Sequence, residues 1–347
     1  MPRYFITGGR QRPSRLRTRQ EWNAYEKAVL VELDTDTGAR RTVLEYESPP
    51  GRRPVQAPSF VFKAGSWDGD QLLLCTQTEV VVFDPAAGRV VRTISHPWFN
   101  DVHHVERIGG RLHVVSTGLD LLLIFDEDDE NIAEWHSATG ADPWERFDPD
   151  TDYRLVTTTK PHGAHPNYVF EADGAVWVTR FEQRDALRLT TGVASPGDAT
   201  SPAGLATSPR LAEDPVHDGV LHEGRVWFTV VSGEVVAVDP IGGAITARYD
   251  LRAMRAEGER PLGWCRGIHH AADHVLLAFS HLRPTAIKQN LSWLRKPLGR
   301  QQEPAPTRVD AYDLTGGRRL ASWELESSGV SSIFSILPGT PPARGVG

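Results

Sequence analysis

The stretch Val80–Ile94, VVVFDPAAGRVVRTI, decides the fold. An apolar, β-branched run ends in Asp84, a short segment closes on Gly88, and a second run follows. Asp and Gly supply turn geometry, so the stretch reads as strand, tight turn, strand. The same phrase returns as VVAVDPIGGAITARYDL from Val235 and as VDAYDLTGGRRLASWEL from Val309.

A second unit precedes most of these hairpins. HHVERIGGRLHVV from His103 lies without gaps over HDGVLHEGRVWFT from His217, placing Gly110 on Gly224 and Arg111 on Arg225. NYVFEADGAVWVT from Asn167 fits the same template, with Gly174 in register. Units of this kind, returning about every 50 residues, describe an array of four-stranded sheets. Blades begin near Ser59, Val102, Pro166, Val216 and Arg266. PRYFITGG with AVLVELDTDTGARRTVLEYE supplies three strands of a further blade, and VSSIFSIL from Val330 supplies its missing innermost strand. The expectation is a single all-β domain over 1–347, a six-bladed β-propeller closed by pairing of its N- and C-terminal strands. Five or seven blades stay open as alternatives.

Composition bounds the function. Of 347 residues 39% are hydrophobic, ample for a core, and no apolar run approaches membrane-spanning length. The basic N-terminus lacks the apolar segment of a secretion signal. Cys75 and Cys265 form no disulfide framework, which points to a cytoplasmic protein with reduced thiols. A net charge of −7 argues against nucleic acid as a partner and leaves a small molecule as the expected one.

Three insertions interrupt the rhythm, at about 138–163, 192–213 and 281–306. The first and the third are expected to lie on the face of the strand-start histidines and restrict entry to the channel. The second, rich in Ser, Pro, Gly, Ala and Thr, reads as a flexible loop. The third holds a helical pattern over 284–302, with Ile287, Leu291, Leu294 and Leu298 on one stripe. It reads as a helix packed across the propeller, or else as a lid or a foot on a membrane surface.

Histidines carry the chemical signal. His103 and His104, His165, His217, and His269 and His270 fall at the proposed starts of innermost strands. Equivalent positions on separate blades converge on the axis, and imidazoles gathered there suit Fe(II), Zn(II), Cu(II) or Ni(II). The expected ligands are His103, His165, His217 and His269, with Fe(II) slightly favoured. His104, His270 or His162 substitute if the register slips, and His217 is expected to be catalytic. Other divalent ions (zinc, magnesium or calcium) fit a hydrolase or lyase reading. Trp98, Phe99, Trp144 and Trp264 are expected to wall the substrate pocket.

Two family resemblances follow. Four histidines on separate blades, with Val216-His217-Asp218 and His165-Pro166, resemble the carotenoid cleavage oxygenases, which hold mononuclear iron in this way. That resemblance implies a non-haem Fe(II) oxygenase, with Glu106, Glu171 and Asp218 as candidates to orient the ligands. The overall repeat is similar to the six-bladed lactonase, NHL and streptogramin-lyase propellers. It implies instead a hydrolase or lyase using a divalent metal or a histidine, and a non-catalytic binding scaffold is the third reading.

Overall fold

A computed structural model describes residues 2–12, 25–189, 207–281 and 305–342 of the chain. Six antiparallel sheets form a six-bladed β-propeller, and the described residues contain no α-helix. The innermost strands are β4 (Gly65–Asp68), β8 (Val102–Ile108), β12 (Pro166–Ala172), β15 (Val216–His222), β19 (Trp264–His270) and β23 (Ser332–Pro338). Each touches the next, and β23 meets β4, so the ring closes.

The remaining strands step outward. They are β5–β7 (Gln71–Cys75, Val80–Asp84, Arg89–Ile94), β9–β11 (Arg111–Ser116, Leu121–Phe125, Ile132–Ser137) and β13–β14 (Ala175–Arg180, Asp185–Arg188). After them come β16–β18 (Arg225–Val230, Glu234–Val238, Ile245–Asp250) and β20–β22 (Val275–Ser280, Arg308–Asp313, Arg318–Glu324). The last sheet runs β23-β1-β2-β3, where β1 is Arg3–Gln11, β2 Tyr25–Asp34 and β3 Arg40–Tyr46. The sheet of β12–β14 has three strands, with Thr207 bridged to Leu187 at its edge.

Closure follows the sequence expectation. Thr7 pairs with Ser335 and Ile6 with Ile336, so the two ends of the chain share one sheet and leave no innermost edge open. The hairpin phrases also behave as read. Asp84 accepts the N–H groups of Ala86 and Ala87, both at 2.9 Å, and Asp239 and Asp313 hold the equivalent turns. Gly88 and Gly317 then adopt φ of 64° and 67°, where a side chain would be strained.

Packing explains which strands are apolar throughout. One buried cluster fills each of the six junctions between neighbouring sheets. A middle strand such as β10, LLLIF, is therefore buried on both faces. Outermost β18 and β22 alternate between half-buried and exposed, because one side of each residue pair meets solvent.

The insertion at 138–163 lies across the end of the propeller that carries His103 and His165. Asn100 Nδ2 anchors it through the carbonyls of Tyr153 and Val156, both at 2.8 Å. Most of the other two insertions, including the pattern at 284–302 and its membrane-surface reading, falls outside the described residues. Among the described residues no helix is long and apolar enough to cross a membrane.

Candidate functional site at the axial mouth

Bulges at the inner strands build the site. The ladder slips at His103 in β8, Asn167 in β12, Asp218–Gly219 in β15, Arg266–Gly267 in β19 and Phe334 in β23. A bulge re-aims side chains and is common beside active sites. Here the bulged residues His103, Asn167, Asp218, Arg266 and Phe334 line a cavity on the axis together with His217. Its free volume of about 10 Å³ is close to the room one water needs.

Three buried polar atoms at or beside this cavity lack a hydrogen-bond partner: His217 Nε2, Asn167 Oδ1 and Trp264 Nε1. Such atoms are costly unless something else meets them. Asp218 is already committed, accepting from Thr229 Oγ1 at 2.5 Å and from the Gly267 N–H at 2.9 Å. Burial raises its pKa to about 6 against those two bonds. The Arg266 guanidinium donates to the Ile333 carbonyl and lies 3.4 Å from the centre of the Phe334 ring.

Beside the cavity stands a cationic and imidazole cluster. Lys63 is buried and ion-paired with Asp101, and its Nζ lies 3.2 Å from His103 Nδ1. His103 Nδ1 is 2.7 Å from the Asp101 carbonyl, its hydrogen-bond acceptor. The His103 and His165 rings meet edge to face at 5.0 Å, and His165 Nδ1 lies 3.3 Å from His162 Nδ1. Burial holds His103, His165 and His217 neutral, well below the usual histidine range, and the Lys63 charge adds to this. For Asp101, burial pulls the pKa up, but the Lys63 ammonium prevails and keeps it well down.

Backbone strain gathers at the same place. Asp101, Asp120, His165 and Asp218 have φ of 54°, 56°, 51° and 64°. Asp and His tolerate the left-handed region better than most residues, and such outliers concentrate where geometry is imposed for function.

The expected four-histidine centre does not assemble. His103, His165 and His217 stand at the mouth, but β19 begins at Trp264, and His269 and His270 are its last two residues. The ring of His269 packs on Tyr4 at 5.1 Å, and His270 stacks on His222 at 4.2 Å, at the other end of the strands. The physical reason is register. VHDG at 216–219 matches WCRG at 264–267, so Cys265 and Arg266 occupy the places of His217 and Asp218, and His270 matches His222. At His103, moreover, an ammonium group stands against the imidazole, which opposes a cation there. Among the described residues no three His, Cys, Asp or Glu side chains group closely enough to hold a metal ion. The residues present therefore do not form the expected four-histidine iron site.

Other expected residues are placed differently as well. His104 Nδ1 accepts the Val169 N–H at 3.2 Å and its ring stacks on Tyr168 at 3.6 Å, so it ties β8 to β12. Glu106 lies 3.9 Å from His104 Nε2, and burial raises its pKa to about 8. Glu171 is exposed on β12 and meets none of these imidazoles. Trp98 and Trp144 pack on each other at 4.5 Å, and Phe99 is buried against Phe125. They belong to the apolar cluster beneath the insertion, not to the axial cavity. Trp264 does reach the mouth, 6.2 Å from His217.

Lys63, Asp101 and Phe181 were not singled out in the sequence, and Arg266 was read only as the start of a blade. A gapless overlay of VHDG on WCRG would have found Arg266; the other three precede or follow strands and carry no repeat signal.

No protein-family model matches the chain, and no curated protein matches it in sequence. Solved structures match in fold. A Bacteroides caccae protein of unknown function superposes with a TM-score of 0.60 at 10% identity, over 97% of this chain and 99% of that one. A chain of a nidogen–laminin complex does so with a TM-score of 0.56 at 10% identity, over 98% and 100%. Identity this low shows the propeller fold alone.

Proposed function

We propose that this propeller is an enzyme of the lyase or hydrolase class, moving a proton on a small organic substrate bound at the mouth of the axial cavity. The observation that carries the reading is His217: a neutral, buried imidazole whose Nε2 faces the cavity region without a partner.

With its proton on Nδ1, His217 presents a lone pair at Nε2 and serves as general base. It takes a proton from a carbon beside a carbonyl or carboxylate, or from a water. The electron pair released either expels a leaving group from the adjacent carbon or forms the bond from water oxygen to an acyl carbon. The Arg266 guanidinium and the Lys63 ammonium face the negative charge that develops, a role a metal ion fills in other enzymes. His217, protonated by that step, returns the proton to the leaving group, while His165 and His103 stay neutral beside it.

The test is turnover of a panel of esters, lactones and β-substituted carboxylates by the intact protein and by His217→Ala. Turnover by the wild type that falls about a hundredfold in the variant and returns with added imidazole supports the reading. Binding of panel members at equal affinity by both proteins, with no turnover by either, overturns it in favour of a binding scaffold.

A further inference from the structure

We infer that the occupant of this mouth is a flat, conjugated carboxylate, an inference that rests on the mouth being a ligand site as proposed above. Three planar groups run side by side there. His165 lies on Phe181 with centroids 4.8 Å apart and planes inclined by 26°. Phe181 and Trp264 are parallel within 5°, but their centroids are 6.1 Å apart. That second step is near the far limit for rings in contact. Both side chains are half-buried, and a planar ring enters this step only when Trp264 turns aside.

The floor of this step is polar. His217 stands edge-on to both walls, inclined by 64° to Phe181 and 60° to Trp264, at 5.3 and 6.2 Å. Its Nε2 and the Trp264 Nε1–H are two of the three buried unpartnered atoms there, Asn167 Oδ1 being the third. An indole N–H can only donate, so its partner is an acceptor such as a carboxylate oxygen. Arg266, two residues along β19, lines the cavity with His217 and supplies a permanent positive charge. Flat walls select a ring, and the indole donor with the guanidinium selects an anionic oxygen on it.

Three small probes separate the two requirements: benzoate (flat and charged), cyclohexanecarboxylate (charged, not flat) and benzamide (flat, not charged). Calorimetric titration of the whole protein is expected to give benzoate an affinity about tenfold above either control. Trp264→Leu should erase the preference for benzoate over cyclohexanecarboxylate and, with the indole donor gone, weaken both carboxylates by the same factor. Arg266→Met should weaken both carboxylates and leave benzamide unchanged. If Trp264→Leu fails to fold, Phe181→Leu removes the opposite wall and reads the same preference.

Equal affinity for benzoate and cyclohexanecarboxylate, equal affinity for benzoate and benzamide, or no binding of any probe overturns the inference. The underlying reading fails separately. Turnover that depends on His217 but is not inhibited by benzoate leaves the enzyme and removes this ligand class. Benzoate binding without any turnover does the reverse.

Discussion

The backbone N–H of His165 donates to the buried carboxylate of Asp120 at 2.8 Å, with the N–H groups of Gly163 and Ala164 on the same carboxylate at 2.7 and 3.0 Å. One side chain from the turn between β9 and β10 thus fixes the loop that brings His162 and His165 to the mouth. His165 sits at φ 51°, a conformation that persists only when its surroundings over-determine it.

Asp120→Ala removes the acceptor of three amides at once. It is expected to cost about 2–4 kcal/mol of stability, since bonds to a charged group are the stronger ones. Asp120→Asn, which keeps one acceptor oxygen, should recover part of that. Urea unfolding of both variants checks the order. A loss in Asp120→Ala no larger than in Asp120→Asn would mean that the loop is held by something else.

Lys63 and Asp101 make a second dependence. Lys63→Met leaves the Asp101 carboxylate without its nearest cation in a mostly buried place. A destabilisation of about 2 kcal/mol is expected, below the full cost of breaking a buried pair because Asp101 keeps some solvent contact. Lys63→Met with Asp101→Asn should be closer to wild type than Lys63→Met alone. Removing the ammonium also lifts the pKa of His103, which histidine NMR titration would register as an upward shift.

Register separates the two ends of β19, and the separation is measurable. His269→Ala is expected to leave binding at the mouth unchanged within a factor of about two, because distant sites act independently. Elemental analysis of the purified chain should find iron and zinc well below one per molecule, at the same level in His217→Ala. One iron per chain that disappears in that variant would refute the placement of the imidazoles described here.

Much of the fold was legible because its signals are local. The Asp-turn-Gly phrase at 84–88, its copies at 239 and 313, and the ungapped overlay of His103 on His217 pointed to the repeated sheets, and VSSIFSIL from Val330 to their closure. The site was less legible, for two reasons. Ile268-His269-His270 copies the pattern of Val102-His103-His104, yet occupies the other end of its strand; two adjacent histidines do not encode register. And the groups that set the chemistry of the mouth, Lys63, Asp101 and Asp120, act from loops between strands, where convergence comes from closure of the ring and not from spacing along the chain.

Acid and base act in opposite directions on this protein, and a single substitution separates them. Burial lowers the pKa of His103, His165 and His217 in the folded state. Unfolded, these imidazoles take protons below about 6.5, so the unfolded chain binds more protons there and stability falls as pH drops through that range. Glu106 works the other way. Its folded pKa of about 8 exceeds the ordinary 4.5, chiefly through burial and then the charge of Asp68, so the folded chain holds the extra proton between these values. Its presence therefore costs stability increasingly as pH rises from 4.5 to 8, and the cost is constant above. Glu106→Gln mimics the protonated form and removes that cost. The melting temperature of the variant should exceed that of wild type at pH 8, and the gap should close toward pH 4.5. A variant less stable than wild type at pH 8 would show that the Glu106 carboxylate is favoured in the channel, held there by partners that outweigh its burial.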